Sequence, residues 1–65
     1  MITLNGRLLD QGNINNIESL ISEHQLSASA IVVEKNGSIL KKEEWPNIPV
    51  LDGDHIEIIR FVGGG

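Results

Sequence analysis

Few residues of this 65-residue chain are of a type and spacing that invite chemistry. The most distinctive set is Gly63-Gly64-Gly65, which closes the sequence directly after an apolar segment. Glycine lacks Cβ and tolerates any φ, so such an arm passes through channels too narrow for other residues. A terminal carboxylate on that arm can be presented to the active site of another protein. The plainer reading of the same residues is a frayed chain end. The chain contains no cysteine, which removes thiolate nucleophiles, thiolate ligands and disulfides from consideration.

Other candidates reduce to structural roles. His24 and His55 are the only histidines. His24 falls on the apolar stripe of a predicted helix, near its end, where the helix dipole favours it. His55 opens the last predicted strand beside Asp54. Asp52-Gly53-Asp54 offers two carboxylates, but an EF-hand loop needs five or six ligands at fixed positions. Two aspartates around one glycine read as a tight turn. Phosphate-binding loops, HExxH and GxSxG are absent from the sequence. Trp45, followed by Pro46, is expected to close one end of the core rather than to serve as an exposed anchor.

Size and charge narrow the class further. A chain of this length buries roughly 60% of its unfolded surface, so one compact domain is the upper limit. A ligand-sized pocket of roughly 300–1,000 Å³ would consume much of the core, and an autonomous enzyme is not expected. Nine acidic residues against five basic ones give a net charge of −4. Nucleic-acid binding needs clustered cations, and Lys41-Lys42 is followed at once by Glu43-Glu44. An acidic protein that docks on a basic surface fits better. No apolar run approaches the roughly 20 residues that span a bilayer, and no signal peptide is visible. Neither nucleic acid nor membrane is therefore an expected partner, and a cytoplasmic location is the default.

The elements that must position the carboxyl end follow from periodicity. Met1–Asn5 alternates apolar and polar residues, as a half-buried strand does. Asn5-Gly6 is a strong hairpin signal, and Arg7–Asp10 reads as the returning strand. Gln11–Asn16 is a polar loop, with Asn15 as the expected helix N-cap and Glu18 reaching back to it. Ile17, Leu20, Ile21 and His24 recur at helical spacing, giving a short amphipathic helix over Ile17–Gln25. Ala30–Lys35 carries the β-branched run Ile31-Val32-Val33. Asn36-Gly37 marks a second hairpin into Ser38–Leu40. Lys41–Trp45 can form one helical turn stopped by Pro46, and His55–Val62 is the last strand. The order predicts an α+β domain over residues 1–62, a mixed sheet of four to five strands with one helix packed across one face. Residues 63–65 are expected to be a flexible tail. The expected core is Ile2, Leu4, Ile17, Leu20, Ile21, Val33, Ile56 and Ile58.

This arrangement leaves one sheet face without a cover. If Ile56 and Ile58 face the helix, strand alternation puts Ile59 and Phe61 on the opposite face. Val32 joins them if Ile31 and Val33 are core. Exposed apolar patches of this composition mark partner sites. A strand phase shifted by one residue would instead bury Ile59 and Phe61.

As a set, these motifs resemble the ThiS family, the sulfur carrier proteins of thiamine biosynthesis. The resemblance rests on the opening strand with Asn5-Gly6, Asn36-Gly37 before Ile39-Leu40, Lys42-Glu43-Glu44-Trp45, Asp52-Gly53-Asp54, and the ending Phe61-Val62-Gly63-Gly64-Gly65. It spans the whole chain. Gly63 is a departure, since two terminal glycines are the family minimum.

The resemblance implies a β-grasp, ubiquitin-like fold and makes Gly65 the reactive residue. It implies that a ubiquitin-activating-type adenylyltransferase uses Mg-ATP to adenylate the Gly65 carboxylate, with no cofactor bound to the carrier. It further implies that a persulfide donor, such as a cysteine desulfurase, converts the adenylate to a thiocarboxylate, and that thiazole synthase takes the sulfur. Two alternatives share the carboxyl-terminal glycines: the small subunit of molybdopterin synthase, and a ubiquitin-like modifier or binding domain.

Overall fold

The computed structural model describes residues 1–61. Its elements are β1 (Ile2–Leu4), β2 (Arg7–Leu9), α1 (Ile17–Glu23), β3 (Ile31–Lys35), β4 (Ser38–Ile39) and β5 (His55–Arg60). Two 3-10 helices, Ala28–Ala30 and Lys42–Asn47, fill the connections. The strands form one sheet in the order β2-β1-β5-β3-β4. The β1–β5 pair is parallel and the others are antiparallel. Among the described residues a single α-helix lies on one face of this mixed sheet, as the element order predicts, and the arrangement is the β-grasp fold that the resemblance implies.

Both hairpins turn where the Asn-Gly pairs stand. Asn5 and Gly6 have φ of 50° and 82°, and Asn36 and Gly37 have 50° and 89°. Two consecutive positive φ values match the twist of the flanking strands, which is why Asn-Gly is favoured there. They fix Leu4 opposite Arg7 and Lys35 opposite Ser38.

Helix α1 starts at Ile17, as the spacing predicts, but its N-cap lies one residue later than expected. Asn16, not Asn15, is the N-cap: its side-chain oxygen accepts from the Ser19 N–H at 2.7 Å. The Ser19 hydroxyl in turn accepts from the Asn16 N–H at 3.2 Å, so Ser19 takes the place expected of Glu18. The backbone of Asn15 is occupied elsewhere, its carbonyl accepting from Val50 N–H at 2.9 Å. At the other end, α1 closes at Glu23 with His24 as C-cap, short of the expected Gln25. Gln25 has φ of 55°, outside helical geometry, and the Leu26 N–H returns to the Ile21 carbonyl at 3.1 Å.

The core lies between α1 and the inner sheet face. Ile2, Ile17, Leu20, Ile21, Val33 and Ile56 are buried as expected, while Leu4 and Ile58 pack against this cluster half-buried. Ile14, Ile31, Trp45 and Val50 complete it. Trp45 is thus a core residue, as its scarcity in the sequence predicts. Pro46 does not stop the turn that holds it, because the turn is a 3-10 helix running on to Asn47. The Pro46 carbonyl accepts from the Asn16 side chain at 3.2 Å, tying this turn to the start of α1. No helix among the described residues is long and apolar enough to cross a membrane.

Candidate functional site

Paired residues of neighbouring strands share a face, so the register alone sorts the sheet into two sides. The inner side takes Ile56 and Ile58 against the helix. The outer side takes Thr3 opposite Leu8 and His55, Val32 opposite Ile59, and Glu34 opposite both Glu57 and Ile39. The strand phase is the one predicted. Ile59 is 47% exposed, Phe61 is 57% exposed and Val32 is half-buried, so all three lie together on or beside the uncovered face.

Pairing holds Phe61 in line beyond the formal end of β5. Its N–H donates to the Ala30 carbonyl at 2.9 Å, continuing the β3–β5 ladder. Further back, the Asn5 side-chain oxygen accepts from the Ile58 N–H at 2.7 Å. The last described residue is therefore fixed on the sheet, four positions before Gly65 in the sequence. Val62, Gly63, Gly64 and Gly65, on which the expected tail and the candidate reactive carboxylate fall, lie outside the described residues.

The face extends further than the sequence reading predicts. Leu8 and Ile39, 72% and 71% exposed, lie on the same side as Ile59. Glu34 and Glu57 stand directly opposite each other in its middle. Period-two alternation contained this signal for Leu8. The two-residue strand β4 is too short for periodicity to place Ile39, and the glutamate pairing needs the inter-strand register.

The remaining candidates settle into structural positions. His24 caps α1, its Nδ1 lying 3.0 Å from the Leu20 carbonyl. His55 is exposed at the start of β5. Asp54 is a buried carboxylate whose oxygens are claimed by protein donors. It accepts from Leu51 N–H at 2.8 Å and from the Asn36 side chain at 3.1 Å, and Lys35 Nζ lies 3.4 Å away. Burial works to raise the Asp54 pKa. The Leu51 and Asn36 hydrogen bonds and the Lys35 ammonium together outweigh it and hold the carboxyl below its ordinary value. Gly53 supplies the positive φ of 88° that the turn requires. Among the described residues, no three His, Asp or Glu side chains converge as metal ligands.

Comparison with known proteins gives the same answer for the whole chain. The ThiS family model matches residues 2–65. The chain belongs to the ThiS family. Within and around that family, the chain is 36% identical over 66 residues to the sulfur carrier protein ThiS of Bacillus subtilis, covering 100% of both proteins. It is also 31% identical over 64 residues to a thiazole synthase of Paramagnetospirillum magneticum, where 98% of this chain matches 20% of that protein. Among solved structures it is similar to the crystal structure of the thiamine biosynthesis protein ThiS from Geobacter metallireducens. That match has a TM-score of 0.81 and 34% identity, and covers 98% of this chain and 97% of the other.

Proposed function

We propose that this ThiS-family protein is a sulfur carrier of thiamine biosynthesis whose cargo rides on the carboxyl carbon of Gly65. The observation that carries the reading is the end-to-end match with the Bacillus subtilis sulfur carrier. A carboxylate is a poor electrophile because its charge is delocalised. A ubiquitin-activating-type adenylyltransferase, using Mg-ATP, replaces one oxygen's charge with an AMP leaving group and releases pyrophosphate. A persulfide from a cysteine desulfurase or similar donor attacks the acyl carbon and expels AMP. A thiol then cleaves the S–S bond and leaves the thiocarboxylate. The chain has no cysteine to hold the sulfur instead.

Thiazole synthase is the acceptor in this reading. A relative of that name includes a segment similar to nearly all of this chain, so a carrier-like domain and a synthase occur in one polypeptide there. Gly63 and Gly64 serve as the side-chain-free arm, and Val32, Ile59 and Phe61 as the docking face. The carrier itself binds no cofactor and works in the cytoplasm, where thiols stay reduced.

Intact-mass measurement tests the reading. After incubation with the adenylating enzyme, Mg-ATP and a persulfide donor, the protein should gain one sulfur and lose one oxygen, with fragmentation placing the change at Gly65. Deleting Gly65 should abolish the gain and leave the fold unchanged. Sulfur acquisition by the deleted protein would overturn the assignment.

A further inference from the structure

The two hairpin turns share a dipeptide and a backbone conformation but not a side-chain environment. Asn-Gly occurs at Asn5-Gly6 and at Asn36-Gly37, and every other asparagine is followed by a residue that carries a Cβ. The dipeptide is chemically labile. Glycine has no side chain to shield its amide nitrogen, so that nitrogen can reach the amide carbon of the preceding asparagine. With φ of 50° and 82° at one turn and 50° and 89° at the other, the backbone does not distinguish them. Both asparagines are exposed. Their side-chain bonds do distinguish them. The Asn36 amide is held at both ends, its nitrogen donating to Asp54 Oδ1 at 3.1 Å and its oxygen accepting from the His55 N–H at 2.9 Å. The Asn5 amide is held at its oxygen alone, by the Ile58 N–H at 2.7 Å, and its nitrogen makes no hydrogen bond among the described residues.

The surroundings differ in charge as well. Asn5 lines two cavities that share Leu4 and His24, one of them also lined by Arg60 and the other by Arg7. Asn36 faces the Asp54 carboxylate, whose nearby ammonium, Lys35, also donates to the Pro49 carbonyl at 2.9 Å. We propose that Asn5 is a site of spontaneous deamidation and that Asn36, in the same dipeptide and the same kind of turn, is protected from it. In the reaction the Gly6 nitrogen gives up its proton and attacks the side-chain carbonyl carbon of Asn5. A C–N bond forms, the Cγ–Nδ2 bond breaks, and ammonia leaves with that proton. Water then opens the cyclic imide at either carbonyl, giving aspartate or isoaspartate, with no oxidant or reductant needed. The aspartate formed from Asn5 keeps an oxygen for the Ile58 N–H, and its new charge lies near Arg7, His24 and Arg60. The aspartate formed from Asn36 would set a carboxylate oxygen against Asp54 where an N–H donor stood, so both the path and the product are disfavoured there.

The test ages the full chain in warm, mildly alkaline buffer, folded and in denaturing urea, and follows each turn by peptide mass mapping. The readout is the mass gain when OH replaces NH2, with isoaspartate separated by chromatography. In the folded protein Asn5 should convert about tenfold faster than Asn36, which must first break its charge-assisted bond to Asp54. In urea the two rates should converge. Equal rates in the folded protein, faster conversion of Asn36, or an asymmetry that persists in urea would overturn the inference. So would an Asn5 that stays intact in the folded protein while the unfolded chain converts. A second measurement needs no ageing. Asn5→Asp should melt close to the unaltered protein, and Asn36→Asp about 4–8 °C lower. Equal melting temperatures of the two variants, or the reverse order, would overturn the inference from the product side.

Discussion

Asn36 holds Asp54 from the far side of a hairpin. Its side-chain amide donates to the Asp54 carboxylate at 3.1 Å, while its side-chain oxygen accepts from the His55 N–H at 2.9 Å. A residue chosen for its positive φ thus also clamps the turn that leads into β5. Through β5 the clamp reaches the exposed outer face around Ile59.

Asp54→Asn should therefore cost about 1–3 kcal/mol, the penalty for disturbing a buried, charge-assisted set of hydrogen bonds. The pH dependence has a definite sign. The folded pKa of Asp54 lies below its unfolded value near 4. Its contribution is thus fully present above that unfolded value and fades as pH falls through the folded one. Urea unfolding at neutral pH and at about pH 2 should show the variant's deficit shrinking in acid. A deficit that is the same at both pH values would remove the ionised carboxylate from the account.

The cap of α1 gives a second expectation. Asn16→Ala removes an acceptor from the Ser19 N–H and should cost about 0.5–2 kcal/mol. Asn15→Ala, one residue earlier, should cost less, because the Asn15 bond to Val50 uses the backbone carbonyl and survives the change. Thermal melts of the two variants side by side decide which asparagine caps the helix.

That one-residue offset shows where sequence reading reaches its limit. Both asparagines are good N-caps, and Glu18 makes a capping box with Asn15 look complete. The choice is made by tertiary contacts, since Asn15 and Ile17 both hydrogen-bond through their backbones to the Ile48–Val50 segment. Strands and hairpins were legible because alternation and Asn-Gly pairs are local signals. Ile14 was not, because an isolated apolar residue in a polar loop has no period. Its burial depends on Gln11, whose side chain donates to the Ile14 and Val50 carbonyls and folds the loop inward. The exposed apolar face was legible through the phase of Ile56 and Ile58. The Glu34–Glu57 pairing was not, since it needs the register between strands far apart in sequence.

Core packing yields a third expectation. Leu20 is fully buried at the centre of the helix face, among Ile2, Ile17, Val33 and Ile56. Leu20→Ala should cost about 2–5 kcal/mol. Domains of this size are marginally stable, so the variant should be extensively unfolded at 37 °C. Circular dichroism on warming checks this. A cooperative transition unchanged from the parent would mean that α1 contributes little to the fold.

The last expectation separates the exposed outer face from the core. Phe61 is 57% exposed and anchored to the sheet only through its backbone bond to Ala30, which any non-proline residue can make. Phe61→Ser should therefore leave the melting temperature nearly unchanged, because exposed side chains contribute little to folding. If Phe61 anchors a partner, binding to the adenylating enzyme or to thiazole synthase should weaken by about 1–3 kcal/mol. Val33→Ala is the internal contrast: it lies on the same sheet but on the inner phase, fully buried. It should lower stability while leaving the binding of the folded fraction intact. A Phe61→Ser variant that melts early yet binds normally would reverse the two faces and place the docking surface elsewhere.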